Sequence, residues 1–138
     1  MQSKSLSPVE EIVWEGRPLA YVVRAQFTPS ATTFMTPTEL EQQVGFVVYP
    51  RGAQIQRHIH RGLDRRTTGA AEVVLVRRGA CEVEIYGQSR ELVTRCTLNA
   101  GDLMLMVSGG HGFRMTEDTV LLEIKQGPYV GREEKEFF

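Results

Sequence analysis

From residue 45 to residue 127 the chain is a succession of short runs rich in apolar and β-branched residues. Each run is stopped by Gly, Asn or Pro. The runs are GFVVYP (45–50), AQIQRHIH (53–60), EVVLVRRG (72–79), ACEVEIYG (80–87), ELVTRCTL (91–98), LMLMV (103–107) and TVLLEIKQG (119–127). Runs this short and this frequently interrupted suit strands rather than helices, so they predict an all-β fold, a sandwich or a barrel. LAYVVRAQF (19–27) reads as a first strand. One short N-terminal helix is predicted over TPTELEQQ (36–43), with Thr36 as cap, Pro37 at the first helical position and Glu39 closing a capping box. Residues 1–11 read as a polar lead-in, and GREEKEFF at the end as a solvated tail or, alternatively, one docked at a dimer edge.

A length of 138 residues fits one domain. A chain of this size buries roughly 68% of its unfolded surface, enough for a core without staples. Charged residues make up 24% and the net charge is −1, with the two signs interspersed. That pattern predicts neither a nucleic-acid arm nor a membrane patch. No apolar stretch approaches the ~18 residues of a membrane span, and no apolar leader follows a basic start. The expectation is a cytoplasmic protein whose Cys81 and Cys96 are reduced thiols.

One hairpin is specific enough to assign a register. With its turn at Gln88-Ser89, Cys81 faces Cys96, Val83 faces Thr94 and Ile85 faces Leu92 on one side of the sheet. Glu82 and Glu84 then point to the other. The two thiols are expected to pack as small buried hydrophobes, with a redox pair as the alternative.

The chain holds three histidines, and two of them, His58 and His60, stand one residue apart. On a strand, both imidazoles project to the same side, together with Gln54 and Gln56. A polar row of that kind facing a core needs partners, and imidazole is a good ligand for zinc, copper, iron and nickel. Glu72 opens the next run, and His111 follows LMLMV in SGGHGF.

These residues carry a family resemblance. GAQIQRHIH…EVVLVRRG resembles the first signature of the cupins, with Gly52, His58, His60, Glu72 and Gly79 on its fixed positions. GDLMLMVSGGHGF resembles the second, with Gly101, Gly109 and His111. The resemblance covers about residues 45–126 and accounts for every histidine. It implies a double-stranded β-helix, the jelly-roll barrel of the cupins, over all 138 residues as a single domain. It also implies one divalent transition metal per chain (iron, manganese, nickel or zinc) held by His58, His60, Glu72 and His111.

Two departures from the family pattern stand out. Eleven residues, RGLDRRTTGAA, separate His60 from Glu72 where the family has three or four. This loop carries three arginines, which suit an anionic substrate, although a solvated loop is the plainer reading. It also offers Asp64 as a rival carboxylate, but the spacing from Glu72 to Gly79 favours Glu72. In the second signature Val107 replaces the usual proline and His111 comes one residue early, a shift the Gly109-Gly110 pair can absorb.

Candidate catalytic groups are Glu123 and Lys125, which share one face of the last run, with Arg114 and Gln56. An outer solvated face is the alternative for Glu123 and Lys125. Tyr49 is a weaker candidate, and Met104, Met106, Met115 and Phe113 read as pocket wall or plain core.

Three functions fit. The first is a metal-dependent enzyme on a small organic molecule, an oxygenase, isomerase or decarboxylase. The second is a metal-free sugar-nucleotide isomerase or epimerase with His58 or His60 as base. The third is a binding module without turnover. A small-molecule ligand is the expected partner, and a homodimer through the strand at Leu19–Phe27 is predicted.

Overall fold

A computed structural model describes residues 9–69, 71–128 and 130–138. Residues 1–8 of the expected lead-in lie outside the described residues. The chain divides into two compact units, one running up to Phe27 and resuming at Gly69–Phe138, the other Thr28–Thr68. Among the described residues no helix is long and apolar enough to cross a membrane.

The first unit is antiparallel β throughout. Its strands are β1 (Val9–Trp14), β2 (Arg17–Val23), β5 (Glu72–Arg78), β6 (Ala80–Tyr86), β7 (Leu92–Asn99), β8 (Leu103–Met106), β9 (Gly110–Met115) and β10 (Val120–Lys125). One sheet has the order β1-β2-β8-β5-β10 and the other β7-β6-β9. A common core joins them. Ala20, Val22, Val74, Val76, Met104 and Met106 come from the first sheet, and Cys81, Val83, Ile85 and Leu98 from the second. Burial alternates strictly on β6, whereas Leu19–Val23 of β2 and Met104–Met106 of β8 are buried in unbroken runs, covered on both faces. A short 3₁₀ turn, Gly131–Glu134, follows the last strand.

Several sequence expectations are corrected. The first strand is not 19–27. It runs Arg17–Val23 and is preceded by β1, which takes in Val9–Glu11 of the supposed lead-in. It stops because the Ala25 N–H is captured by the Asp102 carboxylate at 2.8 Å instead of by a neighbouring strand. β2 therefore lies between β1 and β8, and the dimer edge predicted at Leu19–Phe27 is already paired on both sides. The tail is not simply solvated. The Phe138 ring meets Tyr86 edge-on at 5.1 Å, and the Arg90 guanidinium lies over it.

The hairpin register is displaced by two residues. Cys81 faces Leu98, Val83 faces Cys96 and Ile85 faces Thr94. The turn is longer than two residues: Gly87 donates to the Glu91 carbonyl, and Arg90 takes a left-handed φ of 69°. A shift of two preserves the face, so the thiols share a side as diagonal neighbours rather than opposite ones.

In the second unit, β3 (Thr33–Phe34) and β4 (Gly45–Phe46) form a two-residue ladder. The helix predicted over 36–43 is absent. Its polar side chains close a loop instead: the Gln43 amide donates to the carbonyls of Pro37 and Leu40, and Thr36 Oγ1 accepts the Val44 N–H. Glu39 accepts from Thr38 rather than completing a box. Eight residues without a packed face are too few to hold a helix alone. The strand predicted over 45–50 is cut to two residues, because Val48 donates to the Thr32 hydroxyl rather than to a ladder partner.

Candidate functional site

The segment 53–60 is not a strand. It has no regular secondary structure, and Ile55 and Ile59 on it are exposed. The alternation argument for His58 and His60 therefore does not hold there, yet their rings still meet, edge to face, with centroids 5.0 Å apart. His58 Nδ1 lies 2.8 Å from the Gln56 carbonyl. A carbonyl only accepts, so Nδ1 is the donor in this contact, which leaves Nε2 as the nitrogen that could face another partner. Gln56 contributes through its backbone rather than its amide. Tyr49 is exposed in this unit.

In the first unit, alternation delivers a polar cluster at one end of the core face. Glu72 shares its face of β5 with Val74 and Val76. Strand β10 places Lys125 opposite Glu72 and Glu123 opposite Val74. From the other sheet, β9 supplies His111, on the same side as Phe113, which packs on the core. His111 Nε2 lies 3.4 Å from Glu72 Oε2; Glu72 is half-buried, whereas His111 stands at the exposed rim of the cluster. The Phe113 ring stands 5.7 Å from the imidazole. Lys125 Nζ is 4.0 Å from Glu123 Oε1.

The electrostatics split the two carboxyls. Hydrogen bonding to His111, against the opposing pull of burial, holds Glu72 down at about 2. Glu123 is pushed up, first by its hydrogen bond to Glu72, then by burial and by the Glu72 charge, while Lys125 pulls the other way. Adjacent carboxyls split in this manner, one moved down and the other up.

Met104 and Met106 are buried core, whereas Met115 is exposed. Arg114 is not brought to the cluster. It alternates to the other face of β9 and pairs with Glu82 at 3.3 Å. The signature glycines Gly52, Gly79, Gly101 and Gly109 all have positive φ, between 71° and 88°. At Gly109 an added Cβ would also run into the Tyr86 carbonyl, so the chain can turn into His111 only without a side chain there.

Among the described residues, no three His, Cys, Asp or Glu side chains are grouped to hold a metal ion. Two donor pairs stand instead, His58–His60 in one unit and Glu72–His111 in the other. Their chemistry, imidazole nitrogen and ionised carboxylate, fits iron, manganese, nickel or zinc. Sequence reasoning passed over a second group, the residues around a cavity of about 280 Å³ beside Trp14. The only signal for it was a lone tryptophan before the Glu15-Gly16 turn. No protein-family model matches the chain, nor does any curated protein or solved structure.

Proposed function

We propose that the chain is a metal-dependent protein of the cupin kind, its strands wound as a double-stranded β-helix, acting on a small organic molecule. The observation behind this reading is the Glu72–His111 contact. Two residues from different sheets, both named by the resemblance, meet at 3.4 Å at the end of the core. The ligand set is His58, His60, Glu72 and His111. A bound metal would supply Lewis-acid or redox chemistry. The chain's own groups do the rest. Glu72 is ionised at neutral pH and offers a hard oxygen donor, Glu123 stands beside it with its carboxyl raised above its ordinary value, and Lys125 balances the charge. The homodimer belongs to the same proposal, with β1 or β10 as its edge.

The Glu72–Glu123 pair favours a second reading, metal-free acid–base chemistry. There Glu72 orients His111 as base, and Glu123, raised by its contact with Glu72, serves as acid. Metal analysis of untagged protein by plasma mass spectrometry separates the two. About one transition metal per chain, lost in Glu72→Ala/His111→Ala and in His58→Ala/His60→Ala, supports the full ligand set. Loss in the first variant alone removes His58 and His60 from it. No metal after incubation with iron, manganese, nickel and zinc overturns the metal reading in favour of the acid–base one.

A further inference from the structure

The tight β1–β2 turn and the longer β6–β7 turn lie side by side in the first unit. Between them is a cavity of about 280 Å³ lined by Trp14, Glu15, Arg17, Leu19, Gln88, Ser89 and Glu91. We propose that this cavity is a binding site for one neutral sugar ring, stacked on the Trp14 indole.

The floor is apolar and fixed. Leu19 is 1% exposed and belongs to the core. Trp14 is 38% exposed, a large ring surface left to solvent at the cavity wall. Gly87 makes room for it, since an added Cβ there would lie 2.8 Å from Trp14 Cδ1 and would also collide with the Glu91 carboxylate. The remaining walls are polar. The side chains of Glu15, Arg17, Gln88, Ser89 and Glu91 make no hydrogen bond or ion pair among the described residues. They offer donors and acceptors together, the complement of a ring of hydroxyls. The volume sits at the small end of ligand pockets, which span roughly 300–1,000 Å³, and so suits a single ring.

Charge narrows the class further. Glu15 and Glu91 outnumber Arg17 among the lining residues. A phosphate or carboxylate would meet more negative than positive charge, which counts against an anion, and the mixed donors and acceptors of both signs suit the hydroxyls of a neutral polyol. Backbone conformation singles out the same two turns. Among the described residues, Glu15 (φ 50°) and Arg90 (φ 69°) are the non-glycine residues in the left-handed region, and each sits in one of the two turns.

A second cavity of about 240 Å³ shares Gln88 and runs past Arg90 and Phe138. A ring at the end of a longer saccharide would find space there.

Trp14 is the only tryptophan of the chain, so its fluorescence reports on this site alone. The full chain is titrated with glucose, galactose, mannose and N-acetylglucosamine, with the disaccharides lactose and cellobiose, and with glucose 6-phosphate. The expected result is a saturable change in emission with at least one neutral sugar at millimolar concentration. Calorimetry then shows about a tenfold weaker affinity in Trp14→Ala and a similar loss in Gln88→Ala, a turn substitution that leaves the core untouched. Tighter binding of the disaccharides assigns the ligand to a saccharide terminus, and equal binding to a free monosaccharide. No saturable change with any neutral sugar, or stronger binding of glucose 6-phosphate than of glucose, overturns the proposal.

Discussion

The carboxylate of Asp102 receives the backbone N–H of Ala25 at 2.8 Å, tying the end of β2 to the turn between β7 and β8. It also accepts the Asn99 N–H at 2.8 Å and the Arg24 guanidinium at 3.1 Å, at a residue only 2% exposed. Asp102→Ala removes the acceptor of two backbone donors, while the Arg24 guanidinium keeps Glu10 and the Thr97 carbonyl. Unsatisfied buried groups cost roughly 1–3 kcal/mol each, so a loss of about 2–4 kcal/mol is expected. Asp102→Asn should lose less, because one carbonyl oxygen remains. Urea unfolding followed by circular dichroism checks both.

The thiols should be slow and should not pair. Burial pushes both Cys81 and Cys96 up from the ordinary thiol value. Since Cys81 faces Leu98, its distance to Cys96 is that of a diagonal pair, ~7–8 Å between Cα atoms. A disulfide needs less than about 7 Å. Iodoacetamide labelling of the folded protein at pH 7 should be far slower than in urea, rising with pH as thiolate forms. Mild oxidation should yield no internal cross-link. Mass spectrometry reads both outcomes.

Glu72 and Glu123 should pull stability in opposite directions with pH. A depressed Glu72 contributes stability that is fully present above the unfolded glutamate value of ~4.3 and is lost as pH falls toward about 2. A raised Glu123 contributes only below that unfolded value, and its contribution is lost as pH rises through its folded one. In chelator-treated protein, Glu72→Gln should destabilise at pH 7 and lose part of the acid-side slope. Glu123→Gln should be neutral or stabilising at pH 7. Thermal melts between pH 3 and 8 decide between these signs.

At Gly79 the φ of 88° and the Asp118 carbonyl both oppose a side chain. Gly79→Ala is expected to cost about 1–3 kcal/mol, read by the same urea unfolding. Gly62→Ala, in open space without a positive φ, should be close to neutral.

How much of this was legible in the sequence follows from where neighbours decide structure. Strands β5 to β8 and β10 were readable as short apolar and β-branched runs between turn residues, and on β6 the alternation also matches one buried face. The signature glycines were readable because only glycine sits easily at such angles. Parity put Glu123 and Lys125 on one face of the last run but could not say which way that face turns. The helix over 36–43 was not readable, since its caps are present but Gln43 uses the same backbone carbonyls to close a loop. The strand over 53–60 failed for a related reason. Alternating residues make a strand only when another strand offers its backbone, and nothing in the local pattern says whether one does. The hairpin register missed by two because Arg90 adopts an angle that its residue type does not announce.

Strand β10 carries Leu121, Glu123 and Lys125 on one face and Val120, Leu122 and Ile124, all exposed, on the other. Both faces hold residues that a core would accept, so burial alone is a weak guardian of its alignment. A slip by one residue would keep the ladder, drive Leu122 and Ile124 inward and move Glu123 and Lys125 to the opposite face, away from Glu72. What opposes that slip is the irregularity between Val120 and Leu121 and the pairing of Lys125 with Glu72. The charged cluster thus acts as a latch on the threading of its own sheet. Neutralising it would blur where the last strand sits as well as what the site can do.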